Sequence, residues 1–420
     1  MKIAVVGGGS TYTPELVDGL GRMRDVLPVD ELVLVDPATE RLELVGDLGR
    51  RILTKLGHPA RLVTTTDLEP ALDGVDAVLL QLRVGGQAAR LEDETWPLEC
   101  DSVGQETTGA GGFAKALRTV PVVLDIAERV RAAAPDAWII DFTNPVGIVT
   151  RALLDAGHRA VGLCNVAIGF QRRFAGLLGV EPERVLVDQV GLNHLTWVRA
   201  VRVDGDDVLP EVLAEHGETL AAEAGLAPEL VAELGVLPSY YLHYFYEHDA
   251  VLAEQLEGTP RAETVMEIER GLLELYRDPT LNEKPALLEQ RGGAYYSEAA
   301  TGLAASLAAG SGETHVVDLR NGGTLCGLAD DDAVEVPARV EREGPVPLAQ
   351  APLAPELLGL AQHVAAYERL TAEAAVTRDL ETAHKALLAH PLIGQWGLSV
   401  GLLERLIAAG HLPTLVEVAT

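Results

Sequence analysis

Two side chains in this sequence are suited to acting together on one ion. Cys164, in the string GLCNV, and His194, in GLNHL, each stand directly behind an apolar run, with Asn165 and Asn193 beside them. A soft thiolate and a neutral imidazole are good ligands for a divalent metal, and strand ends that share a crevice would let them converge. The competing reading is structural, because a cysteine among apolar neighbours is commonly inert and buried. A second group lies at the N-terminus, where Gly7, Gly8 and Gly9 follow the run KIAVV. Glycines there tolerate positive φ and let the backbone approach a pyrophosphate at the start of the next helix. Ser10 and Thr11 add hydroxyl donors beside Gly7 and Gly9, and Asp36, closing the next apolar run, suits a ribose diol. An acid at that point favours NAD over NADP, whose 2′-phosphate it would repel. Tyr12 stands where the third glycine of G-x-G-x-x-G would fall. A glycine turn without a ligand is the alternative.

Such groups need a scaffold that brings distant loops together. Apolar runs predict strands over 2–6, 31–35, 77–82, 138–142 and 160–163, and amphipathic spacing predicts helices over 13–24, 112–131 and 145–155. Buried strands alternating with helices imply an α/β fold, with an N-terminal Rossmann-like doubly wound parallel sheet. From about residue 185 the pattern alternates as in antiparallel strands, and long helices follow over 261–276 and 357–388. The expected organisation is therefore an NAD-binding domain over 1–190 and a C-terminal mixed α+β domain over 191–420. The second would contribute to the substrate site and to oligomer contacts.

The 33 basic and 63 acidic side chains give a formal net charge of -30. Such a surface repels polyphosphate and anionic lipid, which argues against nucleic acid and membrane as partners. No run approaches the roughly twenty apolar residues of a membrane helix, and the N-terminus lacks a signal-peptide core. Cys100, Cys164 and Cys326 cannot form a disulfide framework in 420 residues. These features lead to the expectation of a soluble, cytoplasmic protein.

The strings GGGSTYTPELV, GQETTGAGGFAKALRT, TNPVG, CNV, GLNHL and RGGAYYS occur in consistent order along the chain. Together they resemble family-four glycoside hydrolases, particularly the members acting on 6-phospho-β-glucosides. The resemblance implies a redox-neutral hydrolysis using NAD and a divalent metal, typically Mn²⁺. Hydride leaves C3 of the sugar, the C2 proton becomes acidic, and the C1 leaving group is eliminated. Water then adds, and the hydride returns. By this resemblance Cys164 and His194 hold the metal, which stabilises the enediolate as a Lewis acid. Tyr241, in LPSYYLHYFY, is the base at C2; a plain aromatic core stripe is the alternative. Arg90, Asn144 and Arg291 match substrate-contacting positions, where ordinary ion pairs are the alternative for both arginines. Asn165 matches members acting on β-linkages, whereas α-acting members carry Asp there. Two positions depart from the family pattern: Ala167 replaces a Pro, and His243 replaces a common Arg. A homodimer or homotetramer binding a small sugar phosphate is implied. Alternatives are a member acting on an α-linked or non-phosphorylated glycoside, and a malate- or lactate-type 2-hydroxy-acid dehydrogenase, in which TNPV also occurs.

Overall fold

Unbroken apolar runs become the buried strands at the centre of the molecule. The computed structural model describes residues 1–293 and 295–413. Its strands are β1 (Lys2–Val6), β2 (Glu31–Val35), β3 (Arg61–Thr65), β4 (Ala77–Leu80), β5 (Trp138–Asp141) and β6 (Ala160–Gly162). Then come β7 (Val185–Leu192), β8 (Leu195–Val203), β9 (Asp206–Asp207), β10 (Leu237–Pro238), β11 (Thr314–Arg320), β12 (Ala333–Glu341) and β13 (Gly344–Pro347). The first six lie side by side in the order β3-β2-β1-β4-β5-β6, all parallel. That is the doubly wound arrangement anticipated from the sequence. Its strand order reverses between β1 and β4, so a crevice opens there at the carboxyl ends of the strands.

The sheet does not stop at β6. β11 joins β6 antiparallel, and the sheet runs on through β12, β7, β8 and β10, with β13 on β12 and β9 on β8, thirteen strands in all. Residue 190 thus falls inside β7, on the antiparallel side. The larger hydrophobic cluster packs both halves, from Ile3 and Val5 through Val317 and Val336 to Leu402, and a smaller one gathers Val185, Val198 and Val201 of β7 and β8 with Leu209 and Leu220.

Several boundaries differ from those read in the sequence. The strand expected over 77–82 ends at Leu80, because Gln81 turns back: its Nε2 donates to the Gly7 carbonyl (3.1 Å) and to Thr13 Oγ1 (2.7 Å). The helix expected over 112–131 runs further at both ends, Gly109–Ala133. The single helix expected over 357–388 is two helices, Pro355–Thr377 and Leu380–Ala389. Arg378 takes a left-handed φ of 60°, and Asp379 then caps the second helix by accepting from the Thr382 N–H at 2.7 Å. Among the described residues, no helix is long and apolar enough to cross a membrane.

Candidate active site

Loops behind β1, β2, β4, β5 and β6 line one cleft of about 770 Å³, closed on its far side by Tyr240, Tyr241 and Tyr244 and by Arg291, Gly293 and Tyr296. At its nucleotide end the three glycines have separate jobs. Gly7 has φ +89°, and a Cβ there would stand 2.6 Å from the Gln81 carbonyl oxygen. A Cβ on Gly9 would stand 2.8 Å from Asp36 Cγ, so only glycine lets the turn close on that carboxylate. The Gly9 N–H donates to Asp36 Oδ2 at 3.1 Å and the Ala38 N–H donates to Oδ1 at 2.9 Å. Ser10 lines the cleft as expected, its Oγ accepting from the Tyr12 N–H. Tyr12 explains the missing third glycine. Its ring packs on Gly293, and its hydroxyl donates to the Gly293 carbonyl, tying the first helix to the RGG segment.

Two expected site residues are placed differently. Thr11 does not line the cleft; its hydroxyl donates to Glu269 Oε1 at 3.1 Å and accepts from Arg291 Nε at 2.8 Å. Arg291 does line the cleft, but its guanidinium is held by Glu269 Oε1 at 3.0 Å, in the ion pair that was the alternative reading. Glu269 is buried and also takes Arg41 at 3.1 Å and Gln87 Nε2 at 3.1 Å. Four donors, from Thr11, Arg41, Gln87 and Arg291, converge there because a buried carboxylate must be paired. Neither Glu269 nor Arg41 carries a recognisable local motif.

At the opposite end of the cleft lie His194 and Tyr241, their ring centroids 3.9 Å apart. His194 is the second residue of the two-residue turn between β7 and β8 and has a left-handed φ of 62°. A non-glycine residue held there is strained, and such strain gathers at functional sites. Burial, reinforced by Lys115, lowers the His194 pKa to about 3, leaving a neutral ring with a free lone pair. Burial pushes the Tyr241 phenol well above its ordinary range, with Tyr240 and Cys164 adding to the effect. Cys164 lies below the cleft surface, 3 % exposed, and lines a second cavity instead. It remains close enough to act electrostatically on Tyr240, Tyr241 and Tyr296. Burial and then Glu335 push its thiol up; the Val166 backbone N–H, at the start of helix Val166–Leu178, and the Asn193 amide oppose this by donating to sulfur.

Behind Cys164 lies a buried acidic group of Asp141, Asp318, Glu335 and Glu368. Neither Asp318 oxygen has a hydrogen-bond partner, and burial and its acidic neighbours push its carboxyl well above the ordinary carboxylate range. Burial raises Glu335 too, to about 7, opposed by Gln189 Nε2, which donates to Oε1 at 2.5 Å, and by Asn193 Nδ2, which donates to Oε2 at 2.8 Å.

Arg90 lines the cleft too, and it likewise stands in the ion pair that was its alternative reading: Glu94 accepts from its Nε at 2.7 Å and Glu106 lies 3.2 Å away. Glu106 also holds Arg83 and the buried Lys115. Burial alone would raise Glu106, but these cations hold it well below the carboxylate range. Burial lowers Lys115 to about 8 against the pull of Glu106. Neither Arg83 nor Lys115 was singled out in the sequence, although Lys115 and Glu106 lie within GQETTGAGGFAKALRT. Asn144 and Asn165 line the cleft, and Asn144 Oδ1 is buried without a partner. His243, by contrast, does not line it; its ring packs on Tyr244.

A metal fits this donor set in a limited way. No group of three His, Cys, Asp or Glu among the described residues could hold an ion, so Cys164 and His194 could supply two ligands at most. The neutral ring and the unpartnered Asn144 oxygen suit a cation that takes its remaining ligands from substrate or water. A dinucleotide fits the glycine turn, Asp36 and the crevice at the strand-order reversal.

Fold and cleft thus define an enzyme of the Rossmann type whose cleft holds the glycine turn, the His194 ring and the buried Tyr241 phenol. The chain belongs to glycosyl hydrolase family 4. The family 4 glycosyl hydrolase model matches residues 2–180, and the family's C-terminal domain model matches residues 189–393. The chain is similar to a probable 6-phospho-beta-glucosidase of Bacillus subtilis, 41% identical over 97% of this chain and 96% of that protein. It is also similar to the 6-phospho-beta-glucosidase of Escherichia coli, 35% identical over 94% of this chain and 91% of the relative. A solved 6-phospho-beta glucosidase from Thermotoga maritima, with manganese, NAD+ and glucose-6-phosphate, superposes with a TM-score of 0.91 at 35% identity. That match covers 98% of each chain. Family membership displaces the 2-hydroxy-acid dehydrogenase.

Proposed function

We propose that this enzyme hydrolyses 6-phospho-β-glucosides, with NAD as a recycled hydride carrier and a divalent metal, Mn²⁺, held by Cys164 and His194. The observation that carries this reading is the contact of the Tyr241 and His194 rings at 3.9 Å, in one cleft with the glycine turn. The names of the relatives in Bacillus subtilis and Escherichia coli support the substrate. When bound, NAD supplies a hydride acceptor at C3 and the metal a Lewis acid at the neighbouring oxygens. Tyr241 takes the C2 proton. Arg83, Arg90 and Lys115 outnumber Glu94 and Glu106 and so favour an anionic substrate and the negative charge that develops on proton removal. Asp36 orients the ribose and Gly7, Gly9 and Ser10 the pyrophosphate; Thr11 acts indirectly, through Glu269 and Arg291. Asn144 and Arg90 face the sugar phosphate, with Arg291 at the wall. Asn165 supports the β-linkage, since an amide cannot protonate a leaving group as the α-acting acid does.

In this reading residues 1–190 bind NAD and residues 191–420 complete the substrate site. The enzyme works in the cytoplasm as a homodimer or homotetramer, which light scattering of the purified protein would test. The deciding assay uses p-nitrophenyl β-glucoside with and without a 6-phosphate, plus NAD⁺, Mn²⁺ and a thiol reductant. Nitrophenol release from the phosphorylated compound alone, abolished by chelator and without net NADH, is the expected result. Release from the unphosphorylated glycoside would move the substrate class, and accumulation of NADH would overturn the redox-neutral mechanism.

A further inference from the structure

The metal pair is held from behind by a carboxylate that touches neither ligand. Asn193 precedes His194 in the turn between β7 and β8, and its amide reaches two groups: Nδ2 donates to Glu335 Oε2 at 2.8 Å, and the same side chain donates to the Cys164 sulfur. Glu335 stands on β12, 1 % exposed, in the strand next to β7. Its other oxygen accepts from Gln189 Nε2, two turns of pleat back along β7. Two amides therefore each present an N–H to one carboxylate. Each Glu335 oxygen accepts one of them, and that pairing fixes which way the Asn193 amide faces. With its nitrogen held toward Glu335 and Cys164, Asn193 can donate to sulfur; turned over, it would present an oxygen.

We propose that Glu335 is a positioning residue for the metal pair, acting through Asn193. One amide ties Cys164 from the loop after β6 to the strained His194 turn, and Glu335 anchors that amide to the antiparallel half of the sheet. This rests on the assignment of Cys164 and His194 as metal ligands. Groups that orient ligands without touching the ion commonly matter nearly as much as the ligands themselves. Glu335→Gln keeps the shape but offers one donor and one acceptor where two acceptors are needed, so one of the two amides loses its partner or turns.

The test measures the affinity of the metal-stripped enzyme for Mn²⁺, by electron paramagnetic resonance of the free ion. Glu335→Gln should weaken it roughly ten- to a hundredfold. NAD affinity, followed by protein fluorescence, should stay unchanged and reports that the variant has folded. Asn193→Ala should lose at least as much, and the double variant no more than Asn193→Ala alone, because both act along one path. Asn193→Ala by itself carries the test if Glu335→Gln does not fold, since it leaves the Glu335–Gln189 contact in place. Native Mn²⁺ affinity in either single variant, or losses that multiply in the double variant, would overturn the proposal. His194→Ala separates it from its premise: unchanged Mn²⁺ affinity in that variant would show that the ligand assignment itself had failed.

Discussion

Tyr241 carries the heaviest demand in the proposed reaction, because burial makes its phenol a harder acid than a free tyrosine. It can act as a base only where bound metal or substrate stabilises the phenolate. Tyr241→Phe removes the hydroxyl and keeps the ring on His194. Its turnover should fall by about 10²–10⁴-fold, the usual worth of a general base, with NAD and Mn²⁺ affinities retained. Steady-state kinetics with parallel binding titrations check this; a smaller loss would make Tyr241 the aromatic packing residue that was its alternative. Cys164→Ser should abolish metal-dependent activity while NAD still binds. Full activity of that variant at submicromolar metal would remove Cys164 from the ligand set. Cys164 stood out in the sequence at the end of an apolar run, and Tyr241 through the resemblance carried by its string LPSYYLHYFY. Glu269 and Lys115 did not stand out. Their roles arise from pairing with Arg41, Arg291 and Glu106 across the fold, and a Glu or Lys on an amphipathic helix reads locally as an ordinary solvated charge. Thr11 misled for the opposite reason: it stands at the expected place in the glycine turn, but its hydroxyl is drawn to a carboxylate far along the chain.

At the scale of elements, the parallel strands were readable because burial on both faces leaves them uniformly apolar. β3, RLVTT, lies at the sheet edge with a single buried residue, so it offers no such run. The break between the last long helices was marked only by Asp379, a good cap, since an arginine in the left-handed region leaves no trace in composition. Helix Gly109–Ala133, which carries Lys115, starts at a buried histidine. His390 Nε2 accepts the Gly109 N–H at 3.0 Å, and its Nδ1 faces the Leu392 N–H at 3.1 Å. A protonated ring would set an N–H against both, and burial lowers its pKa to about 3 from 6.5. The unfolded chain therefore takes up a proton near pH 6.5 that the folded chain refuses until about pH 3. More protons on the unfolded state means that stability rises with pH across that window and is lost on acidification. Each such histidine contributes a slope of up to about 1.4 kcal/mol per pH unit. His390→Gln should be less stable at neutral pH, having lost the cap, yet lose stability more gently as pH falls from 6.5 toward 4. His194 would keep part of the original slope. Urea midpoints at several pH values test this, and an unchanged slope would mean that His390 is protonated in the folded protein.

For the molecule as a whole, the decisive feature is that one sheet runs from β10 to β3 and the larger of its two apolar clusters packs both halves. The change in sequence pattern near residue 185 revealed antiparallel strands but gave no hint that they would join the parallel ones. The contact that joins them, β11 on β6, links residues more than a hundred and fifty positions apart through the single pair Asp318 and Gly162. Gly162 has a physical reason to be glycine, since a Cβ there would stand 2.7 Å from Asp318 Cβ and 2.2 Å from Thr150 Oγ1. Strands that share a ladder and a core should not melt apart. Calorimetry should therefore give one endotherm, with calorimetric and van't Hoff enthalpies equal per cooperative unit. A ligand of the nucleotide end should then stabilise everything. NAD⁺ at a hundred times its Kd adds about 2.7 kcal/mol, and at about 2.1 cal/mol/K per residue of unfolding entropy the single transition should rise by about 3 °C. Two transitions, with only one shifted by NAD⁺, would show that the β6–β11 seam does not couple the halves. The link from Asn193 to Cys164 would then cross a boundary that opens on its own.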